Sequence, residues 1–100
     1  MKVTIPKYNE EGSKVIGEEE KEVLAIVKFV GKTFFSFING KNYYVIGHDS
    51  VYFRIIDESK EDYLYLIGNP RPLSEETWNG KFELVKDFTG GKIKKIMDTI

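Results

Sequence analysis

The stretch Gly47-His48-Asp49-Ser50 places the chain's one histidine beside an aspartate and a serine. Acyl transfer uses those residue types: a hydroxyl nucleophile, an imidazole base and a carboxylate that orients the base. The spacing argues against that use. Triad members project from separate supports that folding brings together, whereas neighbouring side chains diverge and, in a strand, point to opposite faces. The chain also lacks a Gly-Xaa-Ser-Xaa-Gly elbow, the turn that lifts a serine into position. The tetrapeptide lies between the runs NYYVI (42–46) and VYFRII (51–56). Its composition is that of a turn, in which Asp49 and Ser50 bond the local backbone and His48 tolerates an unusual φ.

Other constellations are equally spare. There is no cysteine and a single histidine, which removes disulfides, thiolate chemistry and Cys-based zinc sites, and disfavours a transition-metal site. The acidic stretch 57–62 lacks the alternating Asp-Xaa-Asp-Xaa-Asp-Gly spacing of a calcium loop. Gly90-Gly91 precedes a helical pattern without a following Gly-rich Lys-Ser/Thr consensus, so a helix boundary explains it more simply than a phosphate cradle. Paired carboxylates could be drawn from sixteen Asp and Glu residues, but a domain this small seldom encloses a substrate cleft as well as a core. The expectation is a protein that is not an enzyme and carries no cofactor or metal.

The elements that hold these residues read as one domain over 1–100. Seven Phe, six Tyr and one Trp, with many β-branched residues, favour strands. The N-terminal 1–21 reads as an acidic arm; within it NEEGSKVIGEEEKE (9–22) looks like a solvated arm or loop, with Val15 and Ile16 as a docking point. EVLAIVKFVG (22–31) fits a helical face at Val23, Ile26, Val27 and Val30, but its β-branched content and apolar alternation on both sides favour a strand. Then TFFSFI, NYYVIG, VYFRII, DYLYLI and KFELVKDF read as short strands bounded by turn residues, with Asn39-Gly40 suited to a tight hairpin. In VYFRII the set Val51, Phe53 and Ile55 is the better core face, because Arg54 belongs in water. Pro70 and Pro72 exclude a central strand in the Pro-rich insertion 68–81. In the tail 91–100, Ile93, Ile96, Met97 and Ile100 form the stripe of a short amphipathic helix. A helix that short must dock, by default on its own domain.

Gly40-Lys41-Asn42-Tyr43-Tyr44-Val45, Phe53-Arg54-Ile55-Ile56-Asp57, Glu61-Asp62-Tyr63-Leu64-Tyr65 and Phe82-Glu83-Leu84-Val85 follow one another in order. This pattern resembles a group of very small bacterial proteins, mostly from Firmicutes, and covers about half the chain. The resemblance implies a mainly β fold: an SH3-like small barrel of five or six antiparallel strands over 22–88, here with a short C-terminal α-helix. It implies no activity. The chain departs from the group at Lys60, where the others usually carry Gly in the Asp-Glu-Ser-Gly-Glu-Asp turn. A lysine at positive φ is costly, so this turn is expected to differ. The acidic arm, the insertion with Trp78 and the final helix are additions.

Aromatic side chains beside the acidic turn are the remaining signal. Tyr44, Tyr52, Tyr63, Tyr65 and Trp78 serve sheet packing in one reading, with the phenol edge in water. In the other they line a groove beside Asp57, Glu58, Glu61 and Asp62, as SH3 grooves take proline-rich segments and acidic rims select basic residues. The candidate binding set is Tyr52, Arg54, Asp57, Glu61, Asp62, Tyr63, Tyr65 and Trp78. Acidic neighbours and a net charge of -1 disfavour nucleic acid. The first residues lack an apolar h-region and no run is long enough to span a bilayer. These features point to a soluble cytoplasmic interaction module for a protein partner, a monomer or weak dimer, with no membrane association. The alternative is a small inhibitor or immunity-type protein using its acidic arm against a basic site.

Overall fold

The computed structural model describes residues 1–68 and 80–100. Strands β1 (Lys2–Tyr8) and β2 (Val15–Glu22) form an antiparallel hairpin. Strands β3 (Ala25–Gly31), β4 (Asn42–His48), β5 (Tyr52–Ile56), β6 (Asp62–Leu66) and β7 (Gly80–Asp87) form one antiparallel sheet, and helix α1 (Lys92–Asp98) follows. The sheet order is β6-β5-β4-β3-β7. Consecutive strands β3 to β6 are neighbours, and β7 returns to the free side of β3. Among the described residues no helix is long and apolar enough to cross a membrane.

Alternation builds the core as the sequence predicts. Val27 and Phe29 of β3, Tyr43 and Val45 of β4, and Phe53 and Ile55 of β5 are buried, while Ile26, Tyr44, Arg54 and Ile56 turn to the outer face. Segment 22–31 is accordingly strand rather than helix over most of its length. Val51 falls before β5 and stays exposed. Register shifts between Ile26 and Val27 and between Val45 and Gly47 bend the sheet.

Three expectations change. The sheet is not closed: β6 and β7 are its edges among the described residues, so hydrogen bonding does not complete a barrel. The acidic segment is not a loop, because Val15–Glu22 pairs with β1, from Glu22 opposite Lys2 to Gly17 opposite Lys7. This gives seven strands in two sheets among the described residues, rather than five or six in one. The run TFFSFI (33–38) is a loop rather than a strand. Its apolar residues do not alternate: Phe37 is fully buried and Phe35 fully exposed. Phe37 packs in the core, its ring centroid 5.2 Å from that of Phe29 (stacked), 4.6 Å from Tyr65 (tilted) and 5.4 Å from Phe82 (edge-on), with the stacked and edge-on geometries being ones aromatic rings favour. The Asn39-Gly40 turn does form, with Gly40 at φ 82°, but it sits inside the β3–β4 connection.

Helix α1 docks on its own domain. Ile93 is fully buried in the core, Ile96 and Met97 pack against it, and Ile100 lies past the helix end. Gly91 begins it without a side-chain cap of its own. Instead Thr89 Oγ1 accepts from the Ile93 N–H at 3.2 Å and Asp87 Oδ2 from the Lys94 N–H at 3.0 Å, satisfying donors that a helix start leaves open. At the start of β7, a Cβ on Gly80 would sit 2.7 Å from the Val30 carbonyl oxygen and 2.9 Å from the Phe29 ring, so only glycine lets β7 approach β3 here.

Candidate functional site

The Gly-His-Asp-Ser stretch closes the β4–β5 hairpin. Asp49 Oδ1 accepts from the Val51 N–H at 2.8 Å and the Tyr52 N–H at 2.7 Å. These backbone donors hold its carboxyl below the usual range. The carboxylate is thus committed to the turn rather than to an imidazole. His48 Nδ1 is buried without a hydrogen-bond partner among the described residues.

The expected binding residues separate into two groups. Asp57 is only 4% exposed. Its carboxylate accepts from the Ser59 N–H at 2.8 Å, the Ser59 hydroxyl at 2.5 Å and the buried Tyr65 hydroxyl at 2.6 Å. Burial, and then the Asp57 carboxylate, push the Tyr65 phenol well above its ordinary value. This pair faces inward and organises the β5–β6 turn. Lys60 in that turn adopts φ 68°, the one non-glycine residue at positive φ among those described. The positive φ is therefore met by lysine itself, at a steric cost.

The second group faces outward. Arg54 Nη1 meets Asp62 Oδ2 at 2.9 Å between β5 and β6. Gly47 opposite leaves room for the arginine stem, its Cβ position being 3.3 Å from Arg54 Cβ. Tyr52 is half-buried opposite Leu66. The Tyr63 hydroxyl donates to Glu61 Oε2 at 2.8 Å, a contact that raises the phenol's pKa. Trp78 lies outside the described residues.

The hairpin completes the arrangement. Its far end lies by the start of β6, where Tyr8, Gly12, Glu61, Asp62 and Tyr63 line a groove of about 370 Å³. Two half-exposed phenols, Tyr8 at 38% and Tyr63 at 49%, stand beside two carboxylates. Tyr8 escapes the sequence reading because 1–21 reads as an arm. The signal was the alternation of Val3 and Ile5 in KVTIPKY, masked by Pro6, which a ribbon edge tolerates.

A second cleft of about 460 Å³ opens between the hairpin and the outer face, lined by Val3, Ile26, Tyr44, Ile56, Lys41 and Glu58 among others. Lys41 and Glu58 are already partnered there. Lys41 Nζ meets the two Glu58 oxygens at 2.7 and 2.9 Å, and the Tyr43 hydroxyl donates to Glu58 Oε2 at 2.8 Å. Lys41 holds the Glu58 carboxyl below its usual range, while burial pushes the Tyr43 phenol up to about 12. Among the described residues no group of three or more His, Asp or Glu side chains gathers as a metal site. No protein family, no curated protein and no solved structure matches the chain.

Proposed function

We propose that the chain is a non-catalytic protein-interaction module of the cytoplasm that takes a basic, extended segment of its partner in the groove between Tyr8 and Tyr63. The observation that carries this reading is the meeting of two exposed phenols with Glu61 and Asp62. Flat aromatic walls dock proline-rich or extended segments at low entropy cost, and carboxylates beside them select lysine or arginine. We read the five-stranded sheet as a partly open SH3-like barrel. The order β7-β3-β4-β5-β6, the two bulges and the single core under the inner face support that.

The test is a titration of proline-rich peptides, with and without basic residues, followed by NMR. The basic peptides should shift the amides of Tyr8 and Glu61–Tyr63, Tyr63→Ala and Glu61→Gln should weaken them, and neutral peptides should bind less. Peptides that leave those amides unmoved would refute the reading.

One observation favours the inhibitor reading as a second choice. Strand β2 holds Glu18, Glu20 and Glu22 at alternating, exposed positions of a paired ribbon, a fixed row of carboxylates that a basic site on a toxin or nuclease would match. Lys2 approaches Glu20 and Glu22 at 4.0 and 3.9 Å. Glu18→Lys with Glu20→Lys should abolish such a complex, and a complex indifferent to them and to salt would exclude this mode.

A further inference from the structure

The cleft between the hairpin and the outer face of the sheet has an apolar floor. Ile26, Tyr44 and Ile56 are cross-strand neighbours on β3, β4 and β5, all half-buried, and form a row along it. Val3 and Thr4 of β1 line the opposite side. At about 460 Å³ the cleft has the size of small-molecule sites, about 300–1,000 Å³, which are mostly apolar with a few placed polar groups. Most charges around it are spent, and one cation is not. Lys41 is bonded to Glu58, and on the hairpin face that carries Val3 and Ile5, Lys21 pairs with Glu19 at 3.5 Å. The Asp57 carboxylate is buried and accepts from Ser59 and Tyr65. Lys60 remains: its charge acts on Glu58, but its ammonium makes no ion pair or hydrogen bond among the described residues.

That lysine decides what the cleft can take. Its turn holds it at φ 68°, costly for any L-residue, and such strain gathers at ligand clamps, where a side chain must be presented in one direction. A cationic ligand would find both carboxylates of the cleft already bonded, whereas an anionic one meets an unspent ammonium. One ammonium beside Glu58 and Asp57 balances a single negative charge, and the near-double charge of a phosphate monoester would add repulsion. The exposed Asn42 and Thr4 side chains of the lining also make no hydrogen bond among the described residues, so they offer donors to an acceptor. We infer that the cleft binds an amphipathic monocarboxylate, its hydrocarbon chain along Ile26, Tyr44 and Ile56 and its carboxylate on Lys60. The site shares no lining residue with the groove between Tyr8 and Tyr63, and it adds a small-molecule ligand to the proposed interaction function.

The test is an NMR titration of the full chain with octanoate, kept below its micelle-forming concentration, against octanol and octylammonium as probes of the same length. Octanoate should shift the amides of Ile26, Tyr44, Ile56 and Lys60 and bind at least about tenfold more tightly than either control. Lys60→Gly should weaken octanoate binding about tenfold while the protein melts no earlier, and Lys60→Arg, which keeps the charge, should retain it. Affinity lost without stability lost separates a ligand contact from a structural role. Octanol or octylammonium binding as well as octanoate, or Lys60→Gly binding octanoate like the wild type, overturns the inference. So does the absence of octanoate shifts, or their confinement to Tyr8 and Glu61–Tyr63. None of these outcomes touches the proposed function, whose peptide titration is read from those groove amides.

Discussion

The Tyr65 hydroxyl donates to Asp57 Oδ2 across 2.6 Å within the protein interior. It ties β6 to the turn that precedes it, and the same carboxylate accepts from both the amide and the hydroxyl of Ser59. A residue type expected at a binding surface is instead an internal brace. Removing one partner of a buried, charged hydrogen bond leaves the other desolvated. Tyr65→Phe should therefore lower stability by about 1.5–3 kcal/mol, read from urea denaturation. An unchanged midpoint would show that the brace contributes nothing.

Lys60 illustrates the opposite case, a local cost that can be relieved. An L-residue in the left-handed region costs about 1–2 kcal/mol, partly offset by the extra chain entropy of glycine, about 0.5–1 kcal/mol. Lys60→Gly should thus stabilise the protein by roughly 0.5–1 kcal/mol, while Lys60→Ala should gain nothing. Thermal melts of the three proteins check the order.

Phe35 and Phe37 are two positions apart and should behave as opposites. Phe37 is fully buried against five other aromatic rings, so Phe37→Ala should cost about 3–5 kcal/mol. Phe35→Ala removes no packing within the chain and should leave the melting temperature of the dilute monomer unchanged.

Two pH limbs follow from the hydrogen-bonded groups. Glu58, Asp49 and Asp87 have carboxyls held below their ordinary values, Glu58 mainly by Lys41, Asp49 by backbone N–H groups, and Asp87 by Thr89 and helix N–H donors that outweigh its burial. Their contribution is present above the unfolded pKa and is lost as pH falls through the lowered values, so acid should destabilise the fold and Glu58→Gln should shallow that slope. Tyr43 is shifted the other way, to about 12 by burial. Its contribution is full below the unfolded value of about 10 and is lost as pH rises toward 12. Absorbance titration of tyrosinate should show late-titrating phenols, one fewer of them in Tyr43→Phe while Tyr65 still titrates late.

The strands after residue 41 were legible because their apolar residues alternate, and Arg54 marked the outer face of β5 correctly. The C-terminal stripe was legible because Ile93, Ile96 and Met97 repeat at helical spacing. The loop 33–38 was not: four apolar residues in six look like a strand until packing decides that Phe37 enters the core and Phe35 does not. The hairpin was hidden by composition, since glutamates along β2 read as solvated chain when β1 is not yet known to pair with them. The candidate residues do not gather in one place. Glu61, Asp62 and Tyr63 share a groove, but the partner wall comes from Tyr8, a contact between distant segments that no local pattern encodes.

The sheet order carries a consequence for how the chain reaches this structure. Among the described residues, every strand pair but one joins neighbours along the chain. The exception, residues 25–31 against 80–87, closes a circuit around β4, β5 and β6. Local hairpins form on the microsecond scale, whereas bringing β7 to β3 spends loop-closure entropy before any contact repays it. Arrival of β7 is thus the natural bottleneck of folding, and Gly80, where a Cβ would run into the Val30 carbonyl oxygen, is a position at which any side chain would hinder that arrival.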